Sequence, residues 1–475
     1  MKIKPLNYFR CLVICLVSLL LCACQAGAAV PNEETQMLPE SGSGASYQSA
    51  FTSTDGSVSF VMDIDQAVDL PAGPVVQVQP HFLTGEDAKR VAQALFPDAA
   101  FFEAEPEQAE NLSKGEIQAK LDRWSQYADM DALTGLCGDA ATADYAERIA
   151  AFLADYQRLY DQAPAENSHT PCQWEMRNEA VYSLTAQELA EASTADFNDE
   201  VSAQFTANGI PYRFTASTRN KSDYQVNMIS CYIYDGICPR NLDDEIFTAR
   251  LCRTGEPSQA QLELIKSQAQ QLLSAFALGQ WQVDECDVKR KAGGSEAEYL
   301  VYVNAVPVLS SVAALRQPQI GALRSPDGKS DYYLTDANFV FSANGDLISF
   351  TLFSPLDIQE TVSEGVQPLG IEGLLAQVQQ HLAQTCAYGY GNGFGSLLQG
   401  LQTEVQCTVT VSEIEYGLAR TGGEGSFRYV PALALKGTSE YIGEADGKTY
   451  YTSEAPELLL VMNAADGTII RAANG

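Results

Sequence analysis

The chain is poor in the residues that most enzymes spend on chemistry. Three histidines occur in 475 residues, His81, His169 and His381, and they lie far apart in sequence. No Cys-x-x-Cys occurs, so neither a zinc ribbon nor a thioredoxin-type redox pair is spelled out. Gly-x-Ser-x-Gly, His-Glu-x-x-His, Ser-x-x-Lys and the Walker loop are all missing. Basic residues are scarce: 29 Lys and Arg against 61 Asp and Glu give a net charge of −32. Such a surface repels phosphate backbones and anionic headgroups, which argues against a nucleic-acid partner. Beyond the first 23 residues there is no apolar run of about 18 residues that could span a bilayer.

What is present begins with an address. Lys2, Lys4 and Arg10 precede the apolar stretch Cys11 to Leu21, the layout of a secretory leader. Leu21, Cys22, Ala23 and Cys24 then resemble the bacterial lipobox. The resemblance implies cleavage after residue 23, diacylglyceryl transfer to Cys24, and a protein held to the outer face of the cell membrane by two or three acyl chains. An ordinary signal peptide with cysteines as apolar filler is the alternative. Residues 24–53 are small and polar and read as a flexible tether.

The body reads as α+β, with helices packed on antiparallel sheets. "SVSFVMDID" alternates Val58, Phe60, Met62 and Ile64 on one face, and "PVVQVQPHF" follows as a second strand. Thr84 with Asp87, and Ser113 with Glu116, have capping-box spacing ahead of helical stripes. One stripe carries Ile117, Leu121, Trp124 and Ala128, another Tyr145, Ile149, Phe152, Tyr156 and Leu159. Such stripes are ordinarily core. "IPYRFTAST" and "DYQVNMISCYIYDG" read as a long hairpin. Residues 54–255 therefore read as one α+β domain with a helical insertion over about 104–200.

The remainder reads as a helix-plus-sheet unit written twice, over 256–366 and 367–475. Each unit opens with a helix and ends on a hairpin signal, Asn344-Gly345 and Asp466-Gly467, with one extra residue in the second turn. The order of "CTVTVSEIEYGLAR", "RYVPALALKG" and "LLLVMNAADGTII" after a helix resembles the repeated domains of YycH and YycI, extracytoplasmic regulators of a sensor histidine kinase. That resemblance covers about residues 256–475. The whole chain also resembles clostridial lipoproteins of a family of unknown function. The resemblance implies a fold and a regulatory setting, and it brings no catalytic residues. Those regulators are anchored by a transmembrane helix, which a lipobox replaces here, so a contact inside the membrane is not implied.

Candidate site residues are few. Cys386 and Cys407 flank one loop and suit a disulfide in an oxidising compartment, where closure could contribute roughly 3 kcal/mol. Two buried free thiols are the equal alternative. Between them, "YGYGNGFGS" offers Tyr388, Tyr390 and Phe394 as candidate contacts for a sugar or peptide. A helix precedes this loop and a strand follows, the reverse of a phosphate cradle. His381 falls on or near an apolar helical stripe. His169 and Cys172 lie close enough in sequence to consider a Cys–His pair, and Asp243, Asp244 and Glu245 to consider a cation, although a solvated surface suits the acidic run better. No cofactor and no metal is expected. The expectation is a non-enzymatic envelope lipoprotein that binds an envelope protein, a cell-wall component or a peptide. The alternatives are a solute-binding lipoprotein of a transport system and an envelope hydrolase.

Overall fold

A computed structural model describes residues 47–54, 56, 58–65, 70–104, 112–128, 131, 143–178, 197–220, 224–234, 256–290, 299–316, 323–324, 331–332, 335–385, 405–421, 427–443, 448–452 and 456–472. Cys24, Cys386, Tyr388, Tyr390, Phe394 and the acidic run from Asp243 lie outside these residues. The described helices are α1 (Gly85–Leu95), α2 (Lys114–Trp124), α3 (Ala143–Tyr160), α4 (Gln259–Phe276) and α5 (Ile371–Thr385). None of them is long and apolar enough to cross a membrane.

The strands run β1 (Tyr47–Thr52), β2 (Val58–Ile64), β3 (Gly73–Pro80), β4 (Phe102–Glu103), β5 (Arg177–Asn178), β6 (Phe197–Ala207) and β7 (Ile210–Asn220). Next come β8 (Tyr224–Ile233), β9 (Gln280–Arg290), β10 (Tyr299–Leu309), β11 (Val312–Ala313), β12 (Leu323–Arg324), β13 (Asp331–Tyr332), β14 (Asp336–Ser342) and β15 (Leu347–Phe353). The last are β16 (Leu356–Val366), β17 (Val405–Thr421), β18 (Phe427–Gly443), β19 (Thr449–Thr452), β20 (Glu457–Asn463) and β21 (Ile469–Ala472).

The fold is α+β. A twelve-stranded sheet carries the path β11-β10-β14-β15-β8-β7-β6-β4, and a nine-stranded sheet the path β1-β2-β17-β18-β20-β21. Nearly all pairs are antiparallel; β2 with β17 and β13 with β8 are parallel. The capping boxes form. Thr84 Oγ1 accepts from the Asp87 amide while Asp87 accepts from the Thr84 amide, and Ser113 and Glu116 do the same. Ser258 and Gln261 make a third at the start of α4. Each orphan amide satisfied in this way stabilises its helix by about 1 kcal/mol.

The two C-terminal units follow one plan. In the first, α4 precedes the meander β9-β10-β14-β15; in the second, α5 precedes β17-β18-β20-β21. Ile265, Ala269 and Leu273 of α4 are buried, and Leu374, Val378 and Leu382 of α5 are buried at the same spacing. Burying each Ile, Leu or Val side chain among them contributes about 1.5–3 kcal/mol, so the stripe, more than helix propensity, holds the helix to its sheet. The turns differ by the one residue that the sequence pattern shows: Ser342 N–H donates to Asp346 O, whereas Asn463 N–H donates to Thr468 O. The sheets are extended on opposite sides, the first beyond β15 by β8, β7 and β6, the second beyond β17 by β2 and β1.

Two boundaries differ from the sequence pattern. Tyr47–Thr52, assigned to the tether, form β1 and pair with β2 in full register. β1, β2 and β3 do not share the sheet of the β7–β8 hairpin. β2 lies along β17, and β3 pairs with β16 and β18. Alternation fixes which face of a strand is buried but not which strand lies beside it, so the grouping of 54–255 left out this exchange. Phe60, Met62 and Ile64 join Leu374, Val378, Val409 and Leu435 in one core cluster.

Candidate functional site

The larger sheet buries one face beneath α1 and α4. On β6, β7 and β8, Ala203, Phe214 and Cys231 point into that core. Successive side chains of a strand alternate in direction, so the residues between them point the other way. The register aligns them into one row. Ser202 pairs with Thr215, Thr215 with Ser230, Ser230 with Thr351, Thr351 with Asn338, Asn338 with Asn304, and Asn304 with Glu285. Seven strands thus contribute seven polar side chains, with no charge before Glu285. The row is half-exposed from Ser202 to Asn338 and becomes buried at Asn304.

Neighbours touch at the two ends of the row. Ser202 Oγ lies 3.2 Å from Thr215 Oγ1 and donates to Glu200 Oε1 at 2.9 Å. With its amide oriented to suit both partners, Asn304 donates to Asn338 Oδ1 at 2.5 Å and accepts from both terminal nitrogens of Arg316 at 3.1 Å. Arg316 also pairs with Glu285 and closes that end. A second row runs alongside: Arg213, Tyr232, Ser349, Val340 and Tyr302. Arg213 lies over the Tyr234 ring at 5.4 Å, and Lys289 over Tyr302 at 5.0 Å.

At the Ser202 end the face runs into an open cleft of about 250 Å³, lined among others by Glu103, Trp174, Glu175, Glu200, Ser202 and Arg213. The cleft sits where the outer edge of β6 passes from β4 to β5. Trp174 has φ 55, in the left-handed region, and its carbonyl rests on Gly85, where a side chain would overlap it. Its ring meets Phe101 and Phe214 edge-on.

The residues singled out from the sequence are dispersed. Cys407 is a buried free cysteine in β17, its thiol pushed up by burial; its expected partner Cys386 lies outside the described residues. Tyr388, Tyr390 and Phe394 lie outside them too. His381 is half-buried on α5, its basicity lowered by burial. His169 Nε2 lies 2.5 Å from Glu116 Oε1, which ties it to the α2 cap, while Cys172 lines the cleft. His81 is held between Asp357 at 3.0 Å and Asp87 at 3.2 Å, joining β16 to the start of α1. Among the described residues no three metal-ligating side chains converge. Sequence reasoning missed the polar row because cross-strand register is not written locally. Its trace was the alternate Ser and Thr of "VSAQF", "FTAST", "MISCY" and "SFTLF".

No family model matches the chain, and no curated protein matches it. Among solved structures, an uncharacterised protein of Eubacterium rectale aligns over 87% of this chain and 90% of its own, with a TM-score of 0.34 and 9% identity.

Proposed function

We propose that the chain is a lipid-anchored, extracytoplasmic binding module of the cell envelope that holds a ligand without transforming it. The observation that carries the binding role is the half-exposed, uncharged row from Ser202 to Asn338, opening into the cleft beside Trp174. Where a strand face of an acidic protein meets solvent it ordinarily carries charge; this half-exposed row carries hydroxyls and an amide instead. The lipobox-like Leu21 to Cys24 supports the location, and the likeness of residues 256–475 to YycH and YycI supports a regulatory setting.

The test places a photoreactive residue at Thr351, on the face, in the full-length chain in intact cells. A discrete adduct from Thr351, with none from Leu264, which is 70% exposed on α4, supports the reading. Equal adducts from both positions, or none from either, overturn it. A Cys24→Ala variant that stays with the membrane as firmly as the unaltered chain would remove the anchor from the proposal.

A further inference from the structure

We infer that the polar row binds a neutral glycan laid across the strands of the large sheet, which deepens the binding reading above and rests on it. Three features of the face specify that chemistry. The first is hydrogen-bonding type. Ser202, Thr215, Ser230, Thr351 and Asn338 each carry a group that both donates and accepts. Sugar hydroxyls and acetamido groups do the same, so every contact can be made in either sense. A carboxylate, phosphate or ammonium ligand would meet no counter-charge within the row from Ser202 to Asn338; Glu200 and Arg213 stand beside its first two members. In a chain whose acids exceed its bases by 32, that neutrality is a local property of the row.

The second is spacing. Adjacent strands lie about 4.8 Å apart, close to the advance of one pyranose along a β-linked glycan. A glycan perpendicular to the strands thus meets one row residue per sugar, from β6 through β7, β8 and β15 to β14. The third is the aromatic beside the row. Tyr232 follows Ser230 by two residues and faces the same way, half-exposed, with Ser349 and Arg213 as its cross-strand neighbours. A tyrosine ring there offers an apolar platform for a sugar face and a phenol for its rim. Sheets take peptides through an open edge and pockets for alternate side chains; beyond its β6 end this row crosses β7, β8, β15 and β14, each paired with a strand on both sides. Each contact competes with water, so affinity accumulates with ligand length.

The experiment is calorimetric titration of the full-length chain, in micelles of a sugar-free detergent, with chitobiose and with chitohexaose. The longer oligosaccharide is expected to bind at least about tenfold tighter than the shorter. A Thr215→Val/Thr351→Val double variant keeps β-branched residues on the strands, so the sheet is retained, and is expected to weaken chitohexaose about tenfold through two lost hydrogen bonds. A Leu264→Ala control is expected to bind as the parent does. Absence of binding, equal affinity for both lengths, or an unaltered double variant overturns the inference. If the Thr351 crosslink yields a protein adduct while both glycans fail, the binding module stands and the glycan falls; if neither yields anything, both fall.

Discussion

Gln268 reaches from α4 to the turn between β14 and β15, where its Nε2 donates to the carbonyl of Gly345 at 3.3 Å. Gln377 occupies the matching place on α5, against Gly467 of the turn between β20 and β21. Both glycines have positive φ, 88° and 76°. The repeat is therefore carried down to a helix glutamine seated on a turn glycine. An alanine at either turn meets a left-handed backbone, which costs about 1–2 kcal/mol. At Gly467 the new methyl group also overlaps the Gln377 amide, while at Gly345 the nearest Gln268 atom is 3.3 Å away. Urea unfolding should thus show Gly467→Ala losing more stability than Gly345→Ala. Adding Gln377→Ala to the former should return part of the loss.

Gly85 is the first residue of α1 and touches the backbone of Trp174. Alanine is ordinarily welcome in a helix, so a surface position would gain from this change. Here Gly85→Ala is expected to cost about 1–3 kcal/mol, because the Trp174 carbonyl must move. Near-ultraviolet circular dichroism should change with it, since Trp174 loses its edge contacts to Phe101 and Phe214. An unchanged spectrum with raised stability would show the loop to be slack.

Acid sensitivity follows from the two capping carboxylates that also hold histidines. Burial by itself would raise Asp87 and Glu116. Hydrogen bonds from Thr84 and His81 to the first, and from Ser113 and His169 to the second, outweigh it and hold both below their ordinary values. A carboxyl depressed in the folded state contributes stability above its unfolded pKa and loses that contribution as pH falls through the folded one. Stability should be level near neutrality and decline below about pH 4. Asp87→Asn should lower stability at neutral pH and flatten the acid limb of the profile. A variant with the parent's full acid slope would refute the assignment.

Asn227 is fully buried on β8, and among the described residues neither atom of its amide has a hydrogen-bond partner. Leaving such a group unsatisfied costs about 1–3 kcal/mol. Asn227→Leu, of similar size, is therefore expected to raise the melting temperature. The backbone is unaffected, because Ser354 N–H donates to the Asn227 carbonyl at 2.6 Å. A lower melting temperature would mean that the amide is held by more than the protein's own atoms.

Local features were legible before any coordinates. The alternation of Val58, Phe60, Met62 and Ile64, the capping pairs and the extra turn residue near Gly467 all depend on residues close in sequence, where propensity and periodicity act directly. The partnership of Phe60 with Val409 was not legible, because period two names a face and not a neighbour. The same reason hid the polar row. Ser230 and Thr351 each read as one outward residue, and become a surface only once the strands between Ser202 and Asn304 are set in register. The loop with Tyr388, Tyr390 and Phe394 stands out by its unusual composition, whereas a row of serines and threonines is ordinary until it is aligned.

The exchange of β2 into the last sheet sets a timetable. A chain synthesised N-terminus first presents Phe60, Met62 and Ile64 long before Cys407–Val411 emerge to pair with them. Contacts this distant in sequence close late and slowly. The opening hairpin must wait, its apolar side uncovered, until nearly the whole chain has arrived. A product cut short before β17 would keep that side bare and stay open to proteases, so completion of the C-terminus acts as the proof of length for the opening hairpin.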